Sequence, residues 1–289
     1  MNGKSATRPA SLPLSYWRLL HPLPSLMTVL AVGAFILLAA RGVPPVDTLL
    51  YLLLIETCRQ FSISAFNDYY DRHVDQGRPD KPVASGHISP PIAWLIGTAF
   101  GLLSLLLAAF YSLPLLVLTA IGLGGGLLYD VGLKYTAFSW LPFSLAFPTL
   151  PLWAWVGAHP GGDIPSRLLW VLPVGAVMVL VIHLADTIPD LASDTQAGVR
   201  GLAHRLGMSR SIALAVAAGL AGLLLTLALW PFLNYRAEWY LPGAVLGVLL
   251  MLAGVLIYLK PTPNLKLGSF LLETGALALS VGWIGGLIL

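Results

Sequence analysis

"DTLLYLLLIETCRQFSISAFNDYYDRHVD", residues 47–75, holds two conflicting demands in one stretch. Residues 47–66 are a nearly unbroken apolar run, and about twenty such residues make one bilayer-spanning helix. Residues 67–75 then bring Asp68, Asp71 and Asp75 directly after that run. Carboxylates at the end of a hydrophobic helix are costly unless something cationic neutralises them.

The rest of the chain follows the same pattern. Of 289 residues, 57% are hydrophobic and only 10% charged, and the mean hydropathy is +0.82. Soluble domains carry about a quarter charged residues, so the composition specifies an integral membrane protein. Barrel strands would alternate apolar and polar residues, whereas the runs here are continuous. The predicted fold is all-α, a polytopic membrane bundle of about nine transmembrane helices around a central cavity. The runs lie near 24–40, 47–66, 91–111, 113–129, 138–158, 168–185, 211–233, 240–259 and 268–288. Short polar segments such as "YSLP" (111–114) and "HPGGDIP" (159–165) separate them. The spans use up the chain, which predicts a single domain over 1–289. Residues 1–22 read as a basic, interfacial cytoplasmic approach and not as a cleaved signal, because no short apolar core with a cleavage site follows.

Charge sets the orientation. With the N-terminus inside, Lys4, Arg8, Arg18, Arg72, Arg78, Lys81, Lys134, Arg200, Arg205, Arg210, Lys260 and Lys266 fall on the cytoplasmic side. Only Arg41, Arg167 and Arg236 fall outside, and Arg59 lies within a span. This asymmetry predicts nine spans with the N-terminus in. In a bacterium the location would be the cytoplasmic (inner) membrane, with lipids as surroundings. Nothing in the sequence calls for nucleic acid or an obligate protein partner.

A second acidic patch lies on the same side. In "DTIPDLASD", Asp186, Asp190 and Asp194 recur every four residues, one face of a helix. Asp68, Asp71 and Asp75 likewise share a face if their helix continues past Phe66. Pro189 predicts a kink, because it has no backbone donor, and the kink would free the carbonyl of Ala185. Six carboxylates facing one another repel, and a hard divalent cation such as Mg²⁺ relieves that with oxygen ligands. The single cysteine, Cys58, and the lack of zinc-type His/Cys spacing point away from softer metals. Arg72, Arg78, Lys81, Lys134, Arg200 and Arg205 flank the patches, and Arg and Lys suit phosphate oxygens. Together these describe a diphosphate site at a cytoplasmic membrane face. An isoprenoid diphosphate fits both its polar and its apolar half.

"NDYYDRHVD" (67–75) resembles the NDxxDxxxD motif of the UbiA superfamily of intramembrane prenyltransferases. "DTIPDLASDTQAGVRGLAHRLG" (186–207) resembles that superfamily's second motif. "RPDKPVASGHIS" (78–89) is similar to the segment after its first motif, and Tyr129 to Lys134 to its Tyr/Lys loop. Lys81 stands where many members have Arg, Gly201 where Thr is usual, and Pro189 interrupts the second motif. The resemblance implies that an allylic diphosphate ionises and a lipophilic, commonly aromatic, acceptor captures the prenyl cation. It implies that Asn67, Asp68, Asp71 and Asp75 hold one Mg²⁺ and Asp186, Asp190 and Asp194 a second. Asp68, Asp71, Asp190 and Asp194 would be catalytic, and Asp68→Ala or Asp190→Ala would abolish Mg²⁺-dependent turnover. Arg78, Lys81, Lys134 and Arg200 would contact the diphosphate. Arg18 would face the acceptor, and Tyr129 would bind substrate. Tyr69, Tyr70, Tyr129 and Trp153 are candidates for cation–π stabilisation.

Two other functions share these features: a UbiA-type terpene cyclase, and a membrane transporter, since intramembrane acids also mark ion pathways. Glu56 and Arg59, at i and i+3 inside the second run, read as an intramembrane ion pair. "GLGGG" (122–126) reads as close helix packing, and His183 as a hydrogen-bonded structural residue.

Overall fold

A computed structural model describes residues 12–196 and 198–289. Lys4 and Arg8, with most of the N-terminal approach, lie outside the described residues. A short helix α1 (Leu12–Leu19) leads through a turn at His21 into α2 (Pro22–Ala39) and α3 (Val46–Asp71). There follow α4 (Pro90–Tyr111) and α5 (Leu113–Val131), then α6 (Leu141–Ala146) and α7 (Leu150–Ala158). Pro148 lies in the 3₁₀ turn Phe147–Thr149 that joins α6 to α7 in one interrupted span. The second half holds α8 (Val171–Thr187), the short α9 (Leu191–Gln196) and α10 (Leu202–Leu206), then α11 (Met208–Leu233), α12 (Ala237–Tyr258) and α13 (Leu265–Ile288).

Among the described residues nine segments are long and apolar enough to cross a membrane, in the nine places the hydropathy predicts. The surface is built for lipid. Phe110 is 78% exposed and Leu50, Leu102 and Leu224 are each at least 60% exposed, on outward faces that water would penalise. The interior is where the polar groups sit: Glu56, Arg59, Ser62, Asp68, Asp130 and Lys134 are all buried.

Small residues let helices approach closely, as packing between helices in lipid requires. Gly97 of α4 lies against Phe66, and its carbonyl accepts from Ser62 Oγ at 2.7 Å. The glycine run of α5 packs Gly125 on Ala146 and Gly126 on Ile63. These contacts draw α3, α5, α6 and α8 around a set of internal cavities, and both acidic segments end above them.

Candidate active site

The first acidic segment is split between helix and turn. Helix α3 runs to Asp71, five residues beyond the expected end, and Arg72 caps it. The chain then turns back, with the backbone N–H of Asp75 on the carbonyl of Asp71 at 2.8 Å. The expected shared face of Asp68, Asp71 and Asp75 is therefore replaced by Asn67, Asp71 and Asp75, which line one cavity. Asp68 is buried on another side of the helix. Its Oδ1 accepts from Lys81 Nζ at 2.9 Å and lies 2.7 Å from His21 Nε2.

Each remaining member of this cluster has its own partners. Asn67 Nδ2 donates to Asp130 Oδ1 at 2.9 Å. Asp71 is ion-paired with Lys134 and accepts from Tyr135 Oη at 3.2 Å. Lys134 also stands 3.7 Å from Asp130, so one buried ammonium serves two carboxylates. Asp75 lies 3.2 Å from Arg78 Nη1 and 3.6 Å from Lys81 Nζ. The Arg78 hydrogen bond to Asp80 at 2.8 Å raises the guanidinium's pKa and lowers that of the Asp80 carboxyl. Burial, together with the nearby Asp71 carboxylate, raises the Tyr135 phenol.

The second segment breaks where proline requires. Helix α8 stops at Thr187; Pro189 has no N–H to give the carbonyl of Ala185, which accepts instead from the Ile188 N–H at 3.2 Å. Ser269 Oγ on α13 donates to that carbonyl at 2.6 Å. The break starts a new turn in which the Asp194 N–H meets the carbonyl of Asp190 at 2.9 Å. Burial raises the pKa of the Asp194 carboxyl; His204, 3.7 Å away, opposes this and Asp190 adds to it. The loop after Asp194 is held by Ser139, whose hydroxyl accepts from the Leu202 N–H at 2.9 Å and bonds His183 Nε2 at 3.0 Å. Gly201 is required here, since a Cβ would lie 2.9 Å from Ser139 Oγ and 3.0 Å from the Lys134 carbonyl. His183 is thus the hydrogen-bonded structural residue the sequence suggested.

The two segments open onto one cavity of about 620 Å³. Asn67, Asp71 and Asp75 line it from one side, Asp190 and Asp194 from the other, with Arg78, Lys81, Lys134, Tyr129 and Tyr135 between. Asp186 lines an adjoining polar pocket with Asp190 and Asp194. Arg200 and Arg18 are not among the residues lining either. Of the four aromatic candidates only Tyr129 reaches the cavity. Tyr69 is covered by Arg72, Tyr70 packs on Phe66, and Trp153 is fully buried with Nε1 on Thr119 at 2.8 Å.

Sequence reasoning missed Asp130, Tyr135 and His21. Asp130 had a local signal, an acid four residues before Lys134 at the end of a span. His21 had none, since its partner is 47 residues away.

The donor set suits a hard cation. Its acids and amide offer oxygen as metal donors, and Asp75 Oδ2, on the cavity wall, is buried without a hydrogen-bond partner. Among the described residues no three acidic, His or Cys side chains already form a metal cluster. An ion such as Mg²⁺ keeps waters and takes substrate oxygens alongside one or two carboxylates.

Comparison with known proteins places this arrangement. The sequence model of the UbiA prenyltransferase family matches residues 25–277. The chain is 30% identical to a 4-hydroxybenzoate octaprenyltransferase of Marinomonas sp. (strain MWYL1), over 70% of this chain and 71% of that one. It is also 30% identical to a digeranylgeranylglyceryl phosphate synthase of Methanoregula boonei, over 78% and 79%. Among solved structures, a UbiA homolog from Archaeoglobus fulgidus bound to GPP and Mg²⁺ matches with TM-score 0.71 and 19% identity, over 92% of this chain and 100% of that one. A structure concerned with digeranylgeranylglyceryl phosphate synthase matches with TM-score 0.74 and 17% identity, over 95% and 98%. These structural likenesses establish a common fold.

Proposed function

The chain belongs to the UbiA prenyltransferase family, and on that premise we propose that it is a Mg²⁺-dependent enzyme moving an isoprenoid chain from a prenyl diphosphate to a lipophilic aromatic acceptor. The observation that carries the reading is the single cavity onto which both acidic segments and Arg78, Lys81 and Lys134 open. The A. fulgidus homolog was solved with GPP and Mg²⁺, and the oxygen donors here suit the same pair.

In this reading Asp71, Asp75, Asp190 and Asp194 hold the metal, aided by Asn67, and Asp186 supports the second group from its adjoining pocket. When bound, Mg²⁺ would supply positive charge where negative charge develops on the departing diphosphate. Arg78, Lys81 and Lys134 supply the rest. They now neutralise carboxylates and are within the same cavity as the proposed ligand. As the carbon–oxygen bond breaks, its electron pair leaves with the diphosphate. The acceptor's nucleophilic atom then bonds the allylic carbon and releases one proton. Tyr129 lines both the polar basin and the largely apolar cavity below it, and its ring would stabilise a cation formed between them. The bundle excludes water that would otherwise quench the cation. The active site would lie on the cytoplasmic side, with the N-terminus inside, and the single domain would span 1–289.

The test is mass spectrometry of products from purified protein given Mg²⁺, prenyl diphosphates of graded length and aromatic acceptors. Prenylated acceptor with stoichiometric diphosphate is expected. Cyclic hydrocarbon formed without acceptor would overturn the transferase reading in favour of a cyclase, and no diphosphate release would overturn both.

A further inference from the structure

Below the polar basin, α3 carries a buried charge pair that the proposed chemistry does not use. Arg59 is 3% exposed and Glu56 fully buried. Arg59 Nη2 lies 2.5 Å from Glu56 Oε2, and Gln60 Nε2 donates to Glu56 Oε1 at 2.7 Å. Nη2 of the guanidinium is thereby engaged, but its other two nitrogens are not. Arg59 Nε and Nη1 have no hydrogen-bond acceptor among the described residues, and a buried donor left unmade is expensive.

Those donors border a cavity. Arg59 and Gln60 line a space of about 150 Å³ together with Gly122, Tyr129, Phe143 and Phe147. A Cβ at Gly122 would collide with Arg59 Nη1, so this glycine makes the room in which the guanidinium lies. An apolar cavity of ~150 Å³ is large enough for one benzene ring. Aromatic walls face it, and Tyr129 joins it to the basin above. Arg59 precedes Asn67 by eight helical residues, about 12 Å along α3. The unpaired donors therefore mark the deep end.

Charge decides what kind of oxygen fits. Glu56 already balances Arg59, and the Asp130 carboxyl also lines the space, so Arg59 has no spare positive charge to offer. An uncharged oxygen accepts the free N–H at no electrostatic cost, whereas a second carboxylate would leave net negative charge inside the bilayer. We propose that this cavity seats the acceptor's single aromatic ring with an uncharged oxygen on Arg59, and that it selects against a ring-borne carboxylate. The word acceptor rests on the transferase reading; the binding preference does not.

Binding of 4-methylphenol and 4-methylbenzoate to the purified full chain at pH 7.5, without Mg²⁺ or prenyl diphosphate, tests it. The phenol is expected to bind at least about tenfold more tightly, the scale of one hydrogen bond to a charged group. Glu56→Gln/Arg59→Met, which removes both charges together, should erase that preference. Gly122→Ala, which displaces the guanidinium while keeping both charges, should weaken the phenol by a similar factor. Equal affinity for the two probes in the wild type would overturn the proposal. So would phenol binding that neither variant changes. If Gly122→Ala instead weakens Mg²⁺-dependent geranyl diphosphate binding and spares the phenol, the cavity holds the isoprenoid tail and the proposal is wrong. Absence of turnover with every acceptor would sink the transferase reading alone, since these affinities are measured without it.

Discussion

The two acidic segments do the same job in sequence and opposite ones in space. Around the first, each acid has a cation within 4 Å: Asp68 has Lys81, Asp71 has Lys134, Asp75 has Arg78 and Lys81. Around the second, Asp186 and Asp190 have no ion pair among the described residues, and Asp194 has only His204 at 3.7 Å. The first segment carries counter-ions of its own, with Arg78, Lys81 and Lys134 each shared between two carboxylates. The second depends on positive charge from elsewhere, which makes it the more demanding metal site. The difference also assigns work to the cations, which can exchange a carboxylate for a phosphate once a metal ion takes the acids over.

This contrast can be broken by mutation. The largest effect is expected from Asp190→Ala, in the bare segment: turnover should fall by about 10³-fold or more, the scale of losing a main electrostatic stabiliser, with the protein still folded. Full activity would remove Asp190 from the site. Lys134→Met should follow, because it strands Asp71 and Asp130 as buried unpaired charges, at about 3–5 kcal/mol. A lowered melting temperature together with an increased KM for prenyl diphosphate is expected. An unchanged melting temperature would show that Lys134 is not the shared counter-ion. Asp68→Asn should be milder, about 10–100-fold in turnover, as for groups that orient metal ligands without binding the metal. Complete loss at normal stability would return Asp68 to the metal shell that the sequence assigned it. Ser269→Ala should cost about 1 kcal/mol of stability through the Ala185 carbonyl, measured by thermal unfolding, and no cost would mean another donor replaces it. Arg200→Ala should be close to neutral, within about twofold in KM for prenyl diphosphate, because Arg200 is exposed and lines neither polar pocket. A tenfold rise would show that the loop closes over the ligand.

The sequence made the bundle readable because lipid imposes a long apolar run on each span, and all nine runs became spans. Pro189 and its freed carbonyl were equally readable, since the missing donor is a property of the residue itself. The Glu56–Arg59 pair followed from helical spacing, i to i+3. What was hidden depended on where helices end and what crosses between them. Asp75 leaves the helical face because α3 stops at Asp71, and within the helix it is Asn67, four residues before Asp71, that shares the cavity in place of Asp68. His21 entered the site through a contact spanning 47 residues, which no local pattern encodes, and the Asn67 contact of Asp130 spans 63. Arg200 looked equivalent to Lys134 as a basic residue beside a motif, yet one is exposed and the other buried between two acids.

The convergence of both segments on a single metal-bound diphosphate is tested most directly by a double-mutant cycle on ligand affinity. Mg²⁺-dependent binding of a non-ionising prenyl thiolodiphosphate would be measured by calorimetry for the wild type, Asp71→Asn, Asp190→Asn and the double variant. Residues that share one ligand assembly are expected to couple by about 1–3 kcal/mol, so the double variant should bind scarcely worse than either single one. Strictly additive losses, or a single variant that keeps wild-type affinity, would contradict the account.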